Sequence, residues 1–134
     1  MKIVLDEGAI LPTRAHPYDA GLDLYARAEG VVYGYATFDT GVHVAIPEGC
    51  VGFIKSKSGL MVKHNITADG TIDAHYTGSI HVKLFNHSDA PYKVLAGDKI
   101  AQLVIVPCLL PELELVDSLE ETDRGVGGFG STGR

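Results

Sequence analysis

The sequence has no apolar run approaching the length of a membrane-spanning helix, which argues against a helical membrane protein and leaves no membrane partner to expect. It has no surplus of positive charge either. Eleven Lys and Arg residues stand against 17 Asp and Glu, for a formal net charge of −6. Sequence-independent binding to nucleic acid needs a basic surface that displaces counterions from phosphates, so no direct nucleic-acid binding is expected. An anionic ligand would have to be held by a few Lys or Arg side chains, by backbone N–H groups or by a bound cation. Cysteine is scarce: Cys50 and Cys108 are far apart, each among apolar neighbours, which suits buried free thiols better than a disulfide framework. The stretch Met1-Lys2-Ile3-Val4-Leu5-Asp6 reaches a carboxylate too early for the apolar region of a secretory signal, and a cytoplasmic location is expected. Long helical periodicity, internal repeats and long linkers are also missing. At 134 residues the chain suits one domain, so every motif must share one body.

What is present is short alternation of apolar and polar residues, broken by Gly, Pro and Asp. Val42, Val44 and Ile46 fall on one strand face before Pro47-Glu48-Gly49, and Val51-Gly52-Phe53-Ile54 opens another strand. Ile80, Val82 and Leu84 alternate with His81, Lys83 and Phe85, and the nearly all-apolar run Ile100 to Val106 predicts a strand covered on both faces. One short helix is predicted over Ser58 to His64, with Ser58 as N-cap. This pattern predicts an all-β sandwich or barrel. From Arg124 the composition turns glycine-rich, with one large apolar side chain, Phe129, and the tail is expected to be mobile without a ligand.

Five segments can carry chemistry, and each also has a plain structural reading. Asp19-Ala20-Gly21-Leu22-Asp23-Leu24 sets two carboxylates around a glycine, as a turn entering a strand would. Lys55-Ser56-Lys57-Ser58-Gly59-Leu60 brings hydroxyls and ammonium groups to a helix start, either an anion site or a cap flanked by solvated lysines. Gly70 to Gly78 reads as a hairpin holding Asp73 and Tyr76; an ionised Asp73 near a ligand could take a proton from water, or serve only to form the turn. Gln102 is the one uncharged polar side chain in an apolar strand, so it faces a partner, a site or, at a sheet edge, water. The tail could wrap a phosphate chain with its N–H groups, with Arg124 adding charge and Phe129 a stacking face, or be simply disordered.

Together and in this order, from about Asp19 to Thr132, these segments resemble the five motifs of the trimeric dUTPase family, along with Lys63-His64, Leu84-Phe85-Asn86 and Gly97-Asp98 between them. The resemblance implies a jelly-roll-like β-sandwich or barrel over residues 1–123 and a mobile closing motif over 124–134 that reaches a neighbouring subunit's site. It implies a homotrimer with active sites at subunit interfaces, and Mg²⁺-dependent hydrolysis of dUTP to dUMP and pyrophosphate. Asp73 matches the residue that activates the water attacking the α-phosphorus, and Gln102 the one that helps hold that water. Uracil would pair with backbone around Thr71 and Ile72 near His81, and Tyr76 would lie under the deoxyribose and exclude a 2′-hydroxyl. Lys57, Ser58 and Gly59 would meet the phosphates, and Asp23 would hold Mg²⁺ through a water. Phe129 would stack on uracil, with Arg124, Gly130, Ser131 and Thr132 around the β- and γ-phosphates. Extended, residues 124–134 could span roughly 35 Å.

Two positions depart from the family pattern. Lys57 stands where arginine is usual, keeping charge but losing the planar fork, and Thr67 stands where asparagine is common, so any contact attributed there is open. Two other readings remain at this point. One is a dCTP deaminase of the same fold, although the Phe-Gly-Ser-Thr-Gly motif speaks for the dUTPase. The other is a dUTP-responsive regulatory binding protein, although the segment inserted between the middle motifs of some phage members is missing here.

Overall fold

The computed structural model describes residues 1–128. Among them are ten strands and one short helix: β1 (Ile3–Leu5), β2 (Gly21–Tyr25), β3 (Gly30–Val32), β4 (Tyr35–Asp39), β5 (Val42–Val44), β6 (Cys50–Lys55), α1 (Ser58–His64), β7 (Ile66–Ile72), β8 (His81–Asn86), β9 (Tyr92–Val94) and β10 (Lys99–Pro107). A six-stranded sheet runs in the order β2-β10-β6-β7-β8-β4, and the pairs β1-β5 and β3-β9 complete the body. All of the pairings are antiparallel. This is an all-β fold with one short helix, as the alternation predicts, and it is jelly-roll-like, as the resemblance implies.

The alternating stretches place their apolar residues as predicted. Val82 and Leu84 are fully buried while His81 and Lys83 point outward, and Val42, Val44 and Ile46 all enter the core. Ile54, Leu84 and Leu103 meet inside, each contributing about 1.5–3 kcal/mol by leaving water. β10 is an interior strand, paired with β2 on one side and β6 on the other. Its coverage is uneven, however: Ile100, Ala101 and Leu103 are buried, whereas Val104, Ile105 and Val106 are only half-buried by their own chain.

Three expectations need correction. The helix spans Ser58–His64 as predicted, but its N-cap is Lys57, in an extended conformation and making no side-chain cap hydrogen bond. Ser58 is already helical, so its hydroxyl is not the cap. Cys50 and Cys108 are free thiols but half-buried rather than buried. The Gly70–Gly78 segment is not a closed hairpin ladder, because β7 changes partner along its length. Ile66–Ala68 pair with β8, and Asp69–Ile72 pair with β6 instead. The side of Asp69–Ile72 turned away from β6 is therefore without a partner strand, and the chain opens there into the loop that leads to β8.

From Cys108 to Gly128 the chain carries no strand or helix. Leu109, Leu113, Leu115 and Leu119 along it are 87–101% exposed. The accessible surface of 9670 Å² exceeds the roughly 6,800 Å² that a compact monomer of this mass presents. Part of that surface is the exposed leucines of this arm and the half-covered residues of β10, apolar area that water penalises.

Candidate active site

The first group of candidate residues lies where β7 ends. Ile72 anchors the strand in the core, and Asp73 begins a tight turn in which the Tyr76 N–H donates to the Asp73 carbonyl at 3.2 Å. His75 takes the left-handed conformation, φ 69°, needed to close that turn. Tyr76 is half-exposed, and its hydroxyl donates to the Ser79 carbonyl at 3.2 Å. His81 opens β8 with its Nδ1 3.0 Å from the same carbonyl. Thr71, Ile72, Asp73, Tyr76 and His81 are thus gathered at one end of the sheet, beside the unpartnered edge of β7. A concavity of about 670 Å³ adjoins them, walled by Phe53, Thr71, Asp73, His75, Leu109 and Leu110.

The second group follows from strand register. Asp23 on β2 faces Gln102 on β10, which faces Lys55 on β6, which faces Asp69 on β7. Residues directly opposed in antiparallel strands project to the same face, so these four form one row across the outer side of the sheet. Gln102 is not at an edge: its strand is paired on both sides, and its Nε2 donates to the Ser56 carbonyl at 3.0 Å. Gly21 makes this possible, since a Cβ there would lie 2.0 Å from Gln102 Oε1. Ser56 in turn bonds both backbone groups of Ala68, fixing the entry to α1.

Asp23 is the most deeply placed charge, only 5% exposed. Lys57 Nζ lies 2.5 Å from its Oδ1 and Lys99 Nζ 2.7 Å from its Oδ2. Burial, the largest single influence, pushes its carboxyl upward, but hydrogen bonding and charge from Lys57 and Lys99 outweigh it and hold Asp23 below the usual carboxylate range. Lys57 thus stands beside Asp23, with its ammonium on the carboxylate. By contrast Asp19 is a turn former, accepting the His16 N–H at 2.9 Å, and Thr67 meets His87 Nε2 at 2.7 Å. Ser56 lies within the Lys55–Leu60 segment and Lys99 just before the apolar run, yet their contacts arise only from the pairing of distant strands and from a register shift between Lys99 and Ala101.

The two groups are well separated along one chain. Asp73 lies beyond the Ile72–Gly52 pair, whereas Gln102 faces Lys55 two strands away. At about 3.3 Å per residue and 4.8 Å per strand, their Cα atoms are on the order of 15 Å apart. Arg124 is described, in a turn where its Nε donates to the Gly127 carbonyl at 3.1 Å. Phe129, Gly130, Ser131 and Thr132 lie outside the described residues.

Among the described residues, no group of three or more His, Cys, Asp or Glu could grip a metal ion directly. Asp23 Oδ2 is buried, and the partner it has is the Lys99 ammonium at 2.7 Å. A carboxylate oxygen has a second lone pair beyond the one Lys99 takes, and a water of a hydrated cation would use it, so the residues present suit a magnesium ion that keeps its waters and takes its direct ligands from a substrate.

A family model described as dUTPase matches residues 7–133. The chain is 47% identical over 132 residues to a probable deoxyuridine 5'-triphosphate nucleotidohydrolase of Schizosaccharomyces pombe, covering 96% of this chain and 94% of that one. It is 48% identical to the deoxyuridine 5'-triphosphate nucleotidohydrolase of Arabidopsis thaliana, over 96% of this chain and 80% of that one. Among solved structures, a variant of the Staphylococcus bacteriophage 80alpha dUTPase with dUpNHpp superposes with a TM-score of 0.92 at 33% identity, covering 99% and 98% of the two chains. A variant dUTPase from phage phi11 of S. aureus, described with a structural Mg(II) ion, superposes with a TM-score of 0.82 at 33% identity, covering 90% and 98%.

Proposed function

Because the chain belongs to the dUTPase family, we propose that it hydrolyses dUTP to dUMP and pyrophosphate at sites shared between the subunits of a homotrimer. The observation that carries this reading is the division of the site residues. The residues around Asp73 and those around Asp23 and Gln102 lie on the order of 15 Å apart in one chain. One phosphorus atom cannot be served by both within a subunit, whereas the facing ends of two neighbours can enclose it. The half-covered outer face of β10 and the exposed leucines of the arm support the same assembly.

In this reading uracil enters the opening where β7 leaves β8, pairing with backbone at Thr71 and Ile72 near His81, and Tyr76 lies against C2′ of the sugar. Asp73 accepts the proton of a water aligned on the α-phosphorus, and the neighbour's Gln102 holds the water and an α-oxygen. Ser58 and the open N–H groups of Ser58 and Gly59 meet the bridging oxygens and the departing pyrophosphate. Asp23 would hold a magnesium ion carried on the triphosphate through a water, and that ion would supply charge neutralisation. Lys57 and Lys99 neutralise Asp23 before substrate arrives, and the triphosphate can draw Lys57 onto its own oxygens. Residues 124–134 close over a neighbour's site: Phe129 stacks on the base, and Arg124, Gly130, Ser131 and Thr132 surround the outer phosphates.

The body is then 1–123, the location cytoplasmic, and the role is to keep uracil out of DNA while supplying dUMP for dTMP synthesis. Pyrophosphate release across dUTP, dTTP, dCTP and UTP, with and without Mg²⁺, tests the reading. Magnesium-dependent turnover of dUTP alone is expected; comparable turnover of dTTP, or ammonia from dCTP, would contradict it.

A further inference from the structure

The Asp73–Ser79 loop has little packing to stiffen it. Tyr76 is 45% exposed, and His75 holds a left-handed backbone without being glycine. A ring that excludes a hydroxyl by overlap discriminates only as far as it resists recoil, so the stiffness must come from elsewhere. Polar ties at Thr77 and Ser79, flanking a close ring contact at Gly78, supply it. His43 Nδ1 on β5 lies 2.7 Å from the Thr77 carbonyl, with its Nε2 3.2 Å from Asp6. Gly78 lies against the Tyr76 ring so closely that a Cβ would fall 2.3 Å from the phenolic oxygen. The Ser79 hydroxyl donates to Asp39 Oδ1 at the end of β4, and the Ser79 carbonyl accepts the Tyr76 hydroxyl. Asp39 is itself fixed: the Gly41 N–H donates to it at 3.0 Å, and Arg27, which also bridges to Asp6, lies 2.7 Å from its Oδ2.

We propose that Asp39 and Ser79 are positioning residues for sugar selection: Asp39 locks Ser79 to the rigid end of β4, and Ser79 locks the Tyr76 hydroxyl, so the ring cannot yield to a ribose. In that reading neither residue is placed against substrate; Asp39 acts from behind, where it also lies 3.9 Å from His81 Nε2. The inference rests on the reading that Tyr76 faces C2′, and its test separates the two.

The measurement is kcat/KM for dUTP divided by that for UTP, in the full-length enzyme, with thermal melting as a check on folding. Ser79→Ala removes one hydroxyl and should lower the ratio about tenfold, through faster UTP turnover, while Ser79→Thr keeps the donor and stays within about twofold of wild type. Asp39→Ala should behave as Ser79→Ala does, and the double variant should be no lower than either single one, because the two act as one unit. Tyr76→Ala is measured alongside. If it lowers the ratio and Ser79→Ala does not, the positioning role is overturned and the sugar pocket stands. If both leave the ratio unmoved, the pocket and the positioning role fall together. Equal losses of dUTP and UTP turnover in Ser79→Ala mark a structural role only, which also overturns the proposal. Should Asp39→Ala fail to fold, Ser79→Ala decides.

Discussion

Replacing Gly21 with alanine adds one carbon atom at a point where its effect can be worked through. Gly21 does not have a positive φ, so alanine suits its backbone, and the whole consequence is the clash. A Cβ would lie 2.0 Å from Gln102 Oε1 and 2.9 Å from Gln102 Cδ. An ordinary carbon–oxygen contact is about 3.4 Å, so the Gln102 amide must retreat by roughly 1.4 Å. Its 3.0 Å bond to the Ser56 carbonyl cannot survive that movement. The lost hydrogen bond costs about 0.5–1.5 kcal/mol of stability, lowering the melting temperature by roughly 2–5 °C. On the proposed reading, in which Gln102 holds the attacking water, catalysis should suffer more, since a 1 Å misplacement can cost up to about 10²-fold. We expect kcat/KM for dUTP to fall about 10- to 100-fold, mostly in kcat, measured by pyrophosphate release. Because Gly21 acts only through Gln102, adding Gly21→Ala to Gln102→Ala should change the rate by less than about twofold. A Gly21→Ala enzyme with wild-type kcat/KM would refute the placement of Gln102 in the reaction.

Other consequences can be checked independently. Asp73→Asn should lower kcat by about 10²–10⁴-fold while dUTP binding survives, because the amide keeps the shape but cannot take a proton; retention of half the wild-type kcat would remove Asp73 from that role. Asp23, held below the usual carboxylate range, contributes stability that is complete above the ordinary aspartate value, about pH 4, and is lost as pH falls through its depressed value. The melting temperature of Asp23→Asn should therefore start lower at neutral pH but fall less steeply below pH 4 than that of the parent; parallel curves would show that the Lys57 and Lys99 pairs carry no such linkage. Deleting residues from Gly125 onward should leave the melting temperature nearly unchanged, since Arg124 to Gly128 bury little, but should strongly reduce kcat. A truncated enzyme with full activity would show that the tail is no lid.

What could be read from the sequence was what short-range physics decides. Val82 and Leu84 alternate with polar residues, and the alternation alone puts them inside. The helix after Lys57 was legible in extent, but not its cap: in Lys-Ser-Lys-Ser-Gly, which residue stays extended depends on how β6 delivers the chain to α1, and no local propensity encodes that. The apolar run around Gln102 announced a buried strand without saying that both its edges were paired, which is what removes the edge reading. Asp23 was legible as a candidate through its motif. Its two lysine partners were not, since they arrive from 34 residues away along the chain and from across a bulged strand pair. Asp39 and Ser79, 40 residues apart, carry no sequence signal at all and meet only because β4 pairs with β8.

The most direct test of a site shared between subunits is to mix two inactive chains. Asp73→Asn subunits retain Gln102, and Gln102→Ala subunits retain Asp73. After co-refolding in equal amounts, with mixed trimers verified by native mass spectrometry, one site in about four should join an intact Asp73 to an intact Gln102 across an interface. Activity near a quarter of wild type, from two preparations that each have almost none, is the predicted result. Mixed trimers as inactive as their parents would mean that Asp73 and Gln102 serve the same phosphorus within one chain, or do not serve it at all.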